Sequence, residues 1–327
     1  MPARRYAAMC AAMITIVTGA CADETVMPPG SRQPTFTVAA GNLVPIANAS
    51  RGPQAFLISL NRQIAARGGK YAVREASLLF ARTADPQRAS IVYANDRLHR
   101  MGYRFVKGDP RRATQGAFLR QASFSIFGFA PTGTDFIDSK PSIDASFATW
   151  SSLTCAGLPI INNALPLGIF PSAMLDLGGW EEDPLRSDIN TVGFLPGGIF
   201  DWVFGWGAST YIIAATFPFV FYDDAGNPTD IDGDNNDDTA FAEIWYNSDF
   251  DWNNTGVGPN IDIETAALHE NGHALGLGHF GKISLNLSSG KLQFSPRAVM
   301  NAAVVNTQRS PLGADNASFC AYWSSWN

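Results

Sequence analysis

Three of the chain's four histidines fall within eleven positions, in the run His269-Glu270-Asn271-Gly272-His273-Ala274-Leu275-Gly276-Leu277-Gly278-His279. Imidazole nitrogens ligate transition metals, and their spacing decides whether they can share one ion. Residues four apart on a helix leave the same face one turn apart, so His269 and His273 can both reach one Zn²⁺ at about 2.0–2.1 Å. Glu270 sits about 100° round the helix from His269, beside such an ion rather than on it. From there it can take a proton from water that zinc acidifies to a pKa of roughly 7, then deliver it as a general acid. His279 lies six residues past His273, where a continuing helix would carry it away. Gly276 can adopt positive φ, end the helix and turn His279 back toward the same ion. Three protein ligands with a fourth position open mark a catalytic zinc site; structural sites usually close with four.

The elements that would position these residues can be read around them. Asp262 suits the N-cap of the motif helix, and Glu264 in its first turn suits the positive end of the helix dipole. Strand-like runs at Thr191–Leu195, Tyr211–Tyr222 and Phe241–Asn247 precede it, and alternation at Ala122–Ala130 predicts another strand. Ser142 is a candidate cap for a helix carrying Ile143, Phe147 and Trp150 on one face. Further upstream, Gln54 to Val106 has a helical pattern. Phe56, Leu60 and Ile64 mark one face that ends at Gly68-Gly69, and further helical runs cover Val73 to Arg82 and Gln87 to Met101. His99 lies in the last of these, among arginines, as part of a solvated face. Trp202 to Tyr222 is 21 residues without a charge. Gly205, Gly207 and Pro218 break it, and its β-branched and aromatic second half predicts a loop and a buried strand rather than a membrane span.

An apolar content of 46% and a charged content of 16% describe an ordinary globular chain of 327 residues. The net charge of -6 argues against a nucleic-acid partner. Most basic residues lie between Arg32 and Lys140, and none lies between Arg186 and Lys282, a stretch rich in Asp and Glu. Arg4 and Arg5 followed by the apolar run Tyr6–Ala20 form an export signal, which places the protein outside the cell or on its envelope. Ala20-Cys21-Ala22 reads as a cleavage site leaving Asp23; alternatively, Gly19-Ala20-Cys21 makes Cys21 a lipid anchor. Cys155 and Cys320 then remain to form a disulfide, or else stand as two buried thiols. The expected organisation is a signal peptide at 1–22, a helical basic region at 23–118, and a catalytic domain at 119–327.

The run H-E-x-x-H-x-x-G-x-x-H resembles the signature of the metzincin zinc endopeptidases. That resemblance implies an α+β fold: a twisted mixed sheet, an active-site helix, a Met-turn and a C-terminal helix. Ala298-Val299-Met300-Asn301 is similar to the Met-turn, with Met300 beneath the metal. Ala302 stands where some members place a tyrosine near zinc, implying three histidines plus water. Glu243-Ile244-Trp245-Tyr246-Asn247 and Leu312–Tyr322, with Asp315 in its middle, resemble the strand before the catalytic helix and the closing helix of matrixins and their bacterial relatives. Phe280, where matrixins commonly have Ser, and the long connection from Gly281 to Pro296 depart from them. A protein or peptide substrate is implied, lying along an edge strand for which Tyr211–Tyr222 is the candidate. The basic region is either a propeptide blocking the cleft or an accessory domain. No cysteine is left there to cap the zinc; Asp109 is a candidate for that role.

A second cation group is suggested by Asp230, Asp232, Asp234, Asp237 and Asp238. Carboxylates this dense repel unless cations or water intervene, and hard oxygen ligands suit Ca²⁺. The run lacks the glycine of an EF-hand loop at its sixth position, and an acidic solvated loop is the competing reading. A different class of function also fits the whole chain: an exported zinc- and calcium-holding binding or adhesive protein with little turnover. Glu270 weighs against it, since a pure binder has no chemical need of that residue.

Overall fold

A computed structural model describes residues 51–81, 101–113, 122–126, 129–131, 136–163, 172–173, 184–286, 291–304 and 306–326. The export signal with Cys21, the run Gln87–Met101 apart from its last residue, and His99 lie outside them.

The uncharged run Trp202–Tyr222 starts in the last turn of helix α3 (Gly197–Phe204), passes through a connection with a short 3₁₀ turn at Ala208–Thr210, and becomes a long strand, β9 (Ile212–Phe221), buried throughout. Strand β9 lies antiparallel to β10 (Asp237–Asn247), which pairs in parallel with β8 (Ile189–Leu195). Parallel strands β4 (Ala122–Ile126) and β7 (Ile160–Asn162) complete that side of a mixed α+β sheet. Alternation along β10 supplies both faces: Ala242, Ile244 and Tyr246 enter one core cluster, Phe241 and Trp245 the other. The first cluster packs under α2 (Lys140–Ser151), α4 (Ile263–Ala274) and α5 (Gly313–Trp323) through Ile143, Phe147, Trp150, Leu268 and Phe319. The second packs under α3 and α1 (Arg51–Ala66) through Phe200, Val203, Leu60 and Ile64. Among the described residues no helix is long and apolar enough to cross a membrane.

Upstream, the sequence expectation holds only in part. Helix α1 carries Phe56, Leu60 and Ile64 against the sheet and ends before Gly68 at φ +80°. The run Val73–Arg82 is not helical. It contributes β1 (Tyr71–Val73) and β2 (Ser77–Phe80), both antiparallel to β9. The open hydrogen-bonding edge of β9 outweighs the local helical pattern, because each backbone group that pairs there is satisfied by a strand and by no other conformation. Consequently β9 is not a free edge, contrary to its candidacy as the open substrate-binding strand. Asn61 clasps β1 from α1, with Nδ2 donating to the Val73 carbonyl at 3.0 Å and Oδ1 accepting from its amide at 2.7 Å.

Two smaller corrections follow from local chemistry. Helix α2 begins at Lys140 with Ser139 as its N-cap, so Ser142 lies inside the first turn and is not the cap. Pro141 accounts for this, since its fixed φ and missing N–H suit a helix start. The alternation at Ala122–Ala130 yields two strands, β4 and β5 (Phe129–Pro131); β5 leaves the main sheet to pair with β6 (Phe136–Asp138).

Cys155, just past α2, is bonded to Cys320 on α5, closing a loop of 165 residues. Breaking it with the Cys155→Ser, Cys320→Ser pair should lower stability by about 3–5 kcal/mol in the chain-entropy account. Urea midpoints measured with and without reductant check this, and unchanged midpoints would contradict it.

Glu243 is fully buried on β10, where its carboxylate accepts from Ser172 Oγ at 3.0 Å, Trp245 Nε1 at 3.3 Å and the Ala173 amide. Burial pushes its pKa up from 4.5 to about 7 despite these donors. A carboxyl raised in the folded state adds stability that is complete below the unfolded value and is lost as pH rises through the folded one. Glu243→Gln should therefore gain stability relative to the native chain as pH rises from about 5 to about 8. A pH-independent difference in urea midpoints would contradict this.

Candidate metal centre

Helix α4 starts where its cap predicts: Asp262 Oδ2 accepts from the Thr265 amide at 3.0 Å and its hydroxyl at 2.7 Å. Arg309 holds the same carboxylate at 2.6 Å. The helix is pinned to α2 by Trp150 Nε1, which donates to the Leu268 carbonyl at 2.9 Å, and by Asn271 Nδ2, which donates to Ser146 Oγ at 2.7 Å. It ends at Ala274, and Gly276 follows at φ +81°. A Cβ there would lie 2.3 Å from the Tyr322 ring and 2.8 Å from the Tyr103 carbonyl, so the turn needs glycine twice over.

That turn brings the three histidines together. The Nε2 atoms of His269, His273 and His279 stand 3.0, 3.1 and 3.3 Å apart, all in buried residues. The other ring nitrogens of His269 and His273 are engaged: Nδ1 of His269 lies 2.7 Å from the Val299 carbonyl, and Nδ1 of His273 lies 2.7 Å from the Leu277 carbonyl. Carbonyls only accept, so both Nδ1 atoms carry the proton and both Nε2 lone pairs face the shared space. Burial lowers the His269 pKa from 6.5 to about 4, the Val299 carbonyl opposing it, and this keeps the ring neutral. Converging lone pairs repel unless a cation sits among them. Nitrogens bound at about 2.0–2.1 Å to a tetrahedral ion would be separated by roughly 3.3–3.4 Å, close to the spacing found. The donor set therefore fits a single borderline-soft ion such as zinc.

Glu270 is fully buried next to the first histidine. Its Oε2 accepts from Thr216 Oγ1 on β9, while Oε1 has no protein partner. Burial raises its pKa from 4.5 to about 8, and the Thr216 hydrogen bond works in the opposite direction. A divalent cation beside it would favour the carboxylate form.

Met300 is buried against α4: a Cβ placed on Gly272 would lie 2.3 Å from its sulfur. The turn at 298–301 is held from α5, where Asp315 accepts from the Val299 amide at 2.8 Å, the Met300 amide at 3.1 Å and the Leu312 amide at 2.8 Å. Burial raises the Asp315 pKa, and these three amides oppose the rise. Asp315 thus fixes the turn whose Val299 carbonyl orients His269. The Phe280 amide, next to the third histidine, donates to the Met300 carbonyl at 2.8 Å and ties that segment to the same turn. Ala302 is buried and offers no ligand atom.

Sequence reasoning did not foresee the parts of Thr216 and Asp315 in this assembly. Both act across more than forty residues or from another element, with no local spacing to reveal them. The Asp109 carboxylate is not aimed at the histidines. It is held by the Arg111 guanidinium at 2.7 Å, which also reaches Asp238 at 2.7 Å. The acidic run is divided. Carboxylate oxygens of Asp230, Asp232 and Asp238 come within 4.8 Å of one another. Asp234 pairs with Arg104, and Asp237 with Arg74 at 2.9 Å. Basic residues from upstream therefore meet much of the acidic charge that pointed to calcium.

No protein-family model matches the sequence, and no curated protein matches it. What the site can do rests on its own geometry. Asp315→Ala, which frees the turn but leaves the three histidines, should weaken zinc binding by about 10–100-fold, as loss of an outer partner does. Chelator competition measures this, and an unchanged affinity would remove Asp315 from the account.

Proposed function

We propose that the chain is an exported zinc-dependent endopeptidase of the metzincin type, hydrolysing peptide bonds. The observation that carries this reading is the buried cluster of three Nε2 atoms on and just past α4, with Glu270 adjacent to the first of them. Zinc bound there would supply a Lewis acid that polarises a peptide carbonyl and acidifies water to a pKa of roughly 7. Glu270 supplies proton transfer. Thr216 holds one carboxylate oxygen, leaving Oε1 to accept a proton and return it to the departing amine. Val299 and Leu277 keep His269 and His273 in the tautomer that presents Nε2. Export is supported by the N-terminal sequence and by the Cys155–Cys320 bond, which suits an oxidising compartment. The non-enzymatic reading, a zinc-holding binding protein, has no use for the buried, half-partnered Glu270.

Glu270→Ala should retain one zinc per chain while peptide cleavage falls by about 10²–10⁴-fold, the usual share of general acid–base catalysis. Metal content and peptide-library cleavage by mass spectrometry are measured together. Cleavage surviving the substitution, or native zinc-loaded protein that cuts no peptide in the library, would refute the enzyme reading.

A further inference from the structure

A cavity of about 390 Å³ borders His269, between α4 and the chain on either side of the Met300 turn. Phe294, Val299 and Val304 give it apolar walls. Two longer polar side chains interrupt them, Arg297 from before the turn and Gln308 from after it. No Asp or Glu is among the described residues that line the cavity, so its polar end is cationic.

Both side chains have donors to spare. Arg297 Nε donates to Gln308 Oε1 at 3.2 Å, and among the described residues the guanidinium meets no carboxylate. The nearby acids are already held: Arg309 pairs with Asp262 at 2.6 Å and with Glu264 at 3.1 Å. A guanidinium only donates, so the Gln308 atom that faces it is the carbonyl oxygen, and Nε2 is turned away. That nitrogen is buried without a hydrogen-bond partner. The backbone behind it is fixed, since the Gln308 amide donates to Thr265 Oγ1 on α4 at 2.9 Å. A buried donor left unpaired costs free energy that an acceptor on a ligand recovers.

Resting on the zinc-peptidase reading, we propose that this cavity selects peptides with a glutamate beside the bond being cut, Arg297 and Gln308 reading its carboxylate. Arg297 supplies the charge and two free guanidinium nitrogens; Gln308 Nε2 supplies a donor further in. The apolar walls take the methylenes of the glutamate, a stem that the carboxylate of a chain terminus lacks. An aliphatic side chain of similar size would fill the walls but leave both donors unpaired, and that difference is what discriminates.

The test uses the full-length, zinc-loaded chain and two acetylated, amidated hexapeptides that differ only in glutamate or leucine at one central position. In the Glu270→Ala background, where turnover plays no part, calorimetry should show the glutamate peptide binding at least about tenfold more tightly. Arg297 is exposed, so Arg297→Ala leaves the fold in place. It should bring the two affinities to within about twofold, and Gln308→Leu should reduce their ratio by a smaller factor. Equal binding of the two peptides, binding of neither, or a preference that survives both substitutions overturns the proposal. In the chain that keeps Glu270, kcat/KM for cleavage beside glutamate should exceed that beside leucine by at least about tenfold. If peptides are cut without this preference, the proposal fails and the enzyme reading stands. If the glutamate peptide binds as expected but neither peptide is cut, the enzyme reading fails and the carboxylate-reading cavity stands.

Discussion

Three buried imidazole nitrogens facing one another at 3.0–3.3 Å are the arrangement on which the rest of the structure depends. The Nε2 lone pairs of His269 and His273, aimed inward because carbonyls hold both Nδ1 protons, repel, and the fold must hold them there against that repulsion until a cation relieves it. The means are distributed. Asp262 and Trp150 fix the helix that carries two of the rings, and Gly276 turns the chain to bring in the third. Asp315 fixes the Met300 turn, and that turn supplies both the Val299 carbonyl on His269 and the Met300 side chain against Gly272. The Cys155–Cys320 bond joins the α2 end to the α5 helix, so the two helices flanking α4 are covalently tied.

Charge serves the same end at longer range. The basic upstream residues and the acidic run before the site are separate in sequence and meet in space: Arg74 with Asp237, Arg104 with Asp234, Arg111 with Asp238. Arg112 forms a buried pair with Asp188 just before β8. These contacts fasten the upstream segment beside the sheet, and β1 and β2 continue that fastening along β9. The same residues that look like a separate basic region in sequence are thus bonded to the edge of the sheet that passes Glu270.

What was legible in the sequence was what local spacing encodes. The four-residue step from His269 to His273, the cap at Asp262 and the positive φ at Gly276 all follow from a helix and its ends. The strands β8, β9 and β10 follow from dense β-branched and aromatic runs. What was not legible depends on distant partners. Val73–Arg82 has a helical pattern in isolation but becomes strand because β9 offers an edge. Asp109 looks available for a metal until Arg111 and Asp238 are seen beside it. Asp315 and Thr216 have ordinary neighbours in sequence, and only the fold brings them to the Met300 turn and to Glu270.

The most direct test of the account is the zinc K-edge absorption fine structure of the purified protein. A first shell dominated by three imidazole nitrogens at about 2.0–2.1 Å, with light-atom scattering and no sulfur, is the predicted result. A shell with sulfur, with fewer than three imidazoles, or a protein that takes up no zinc would contradict it.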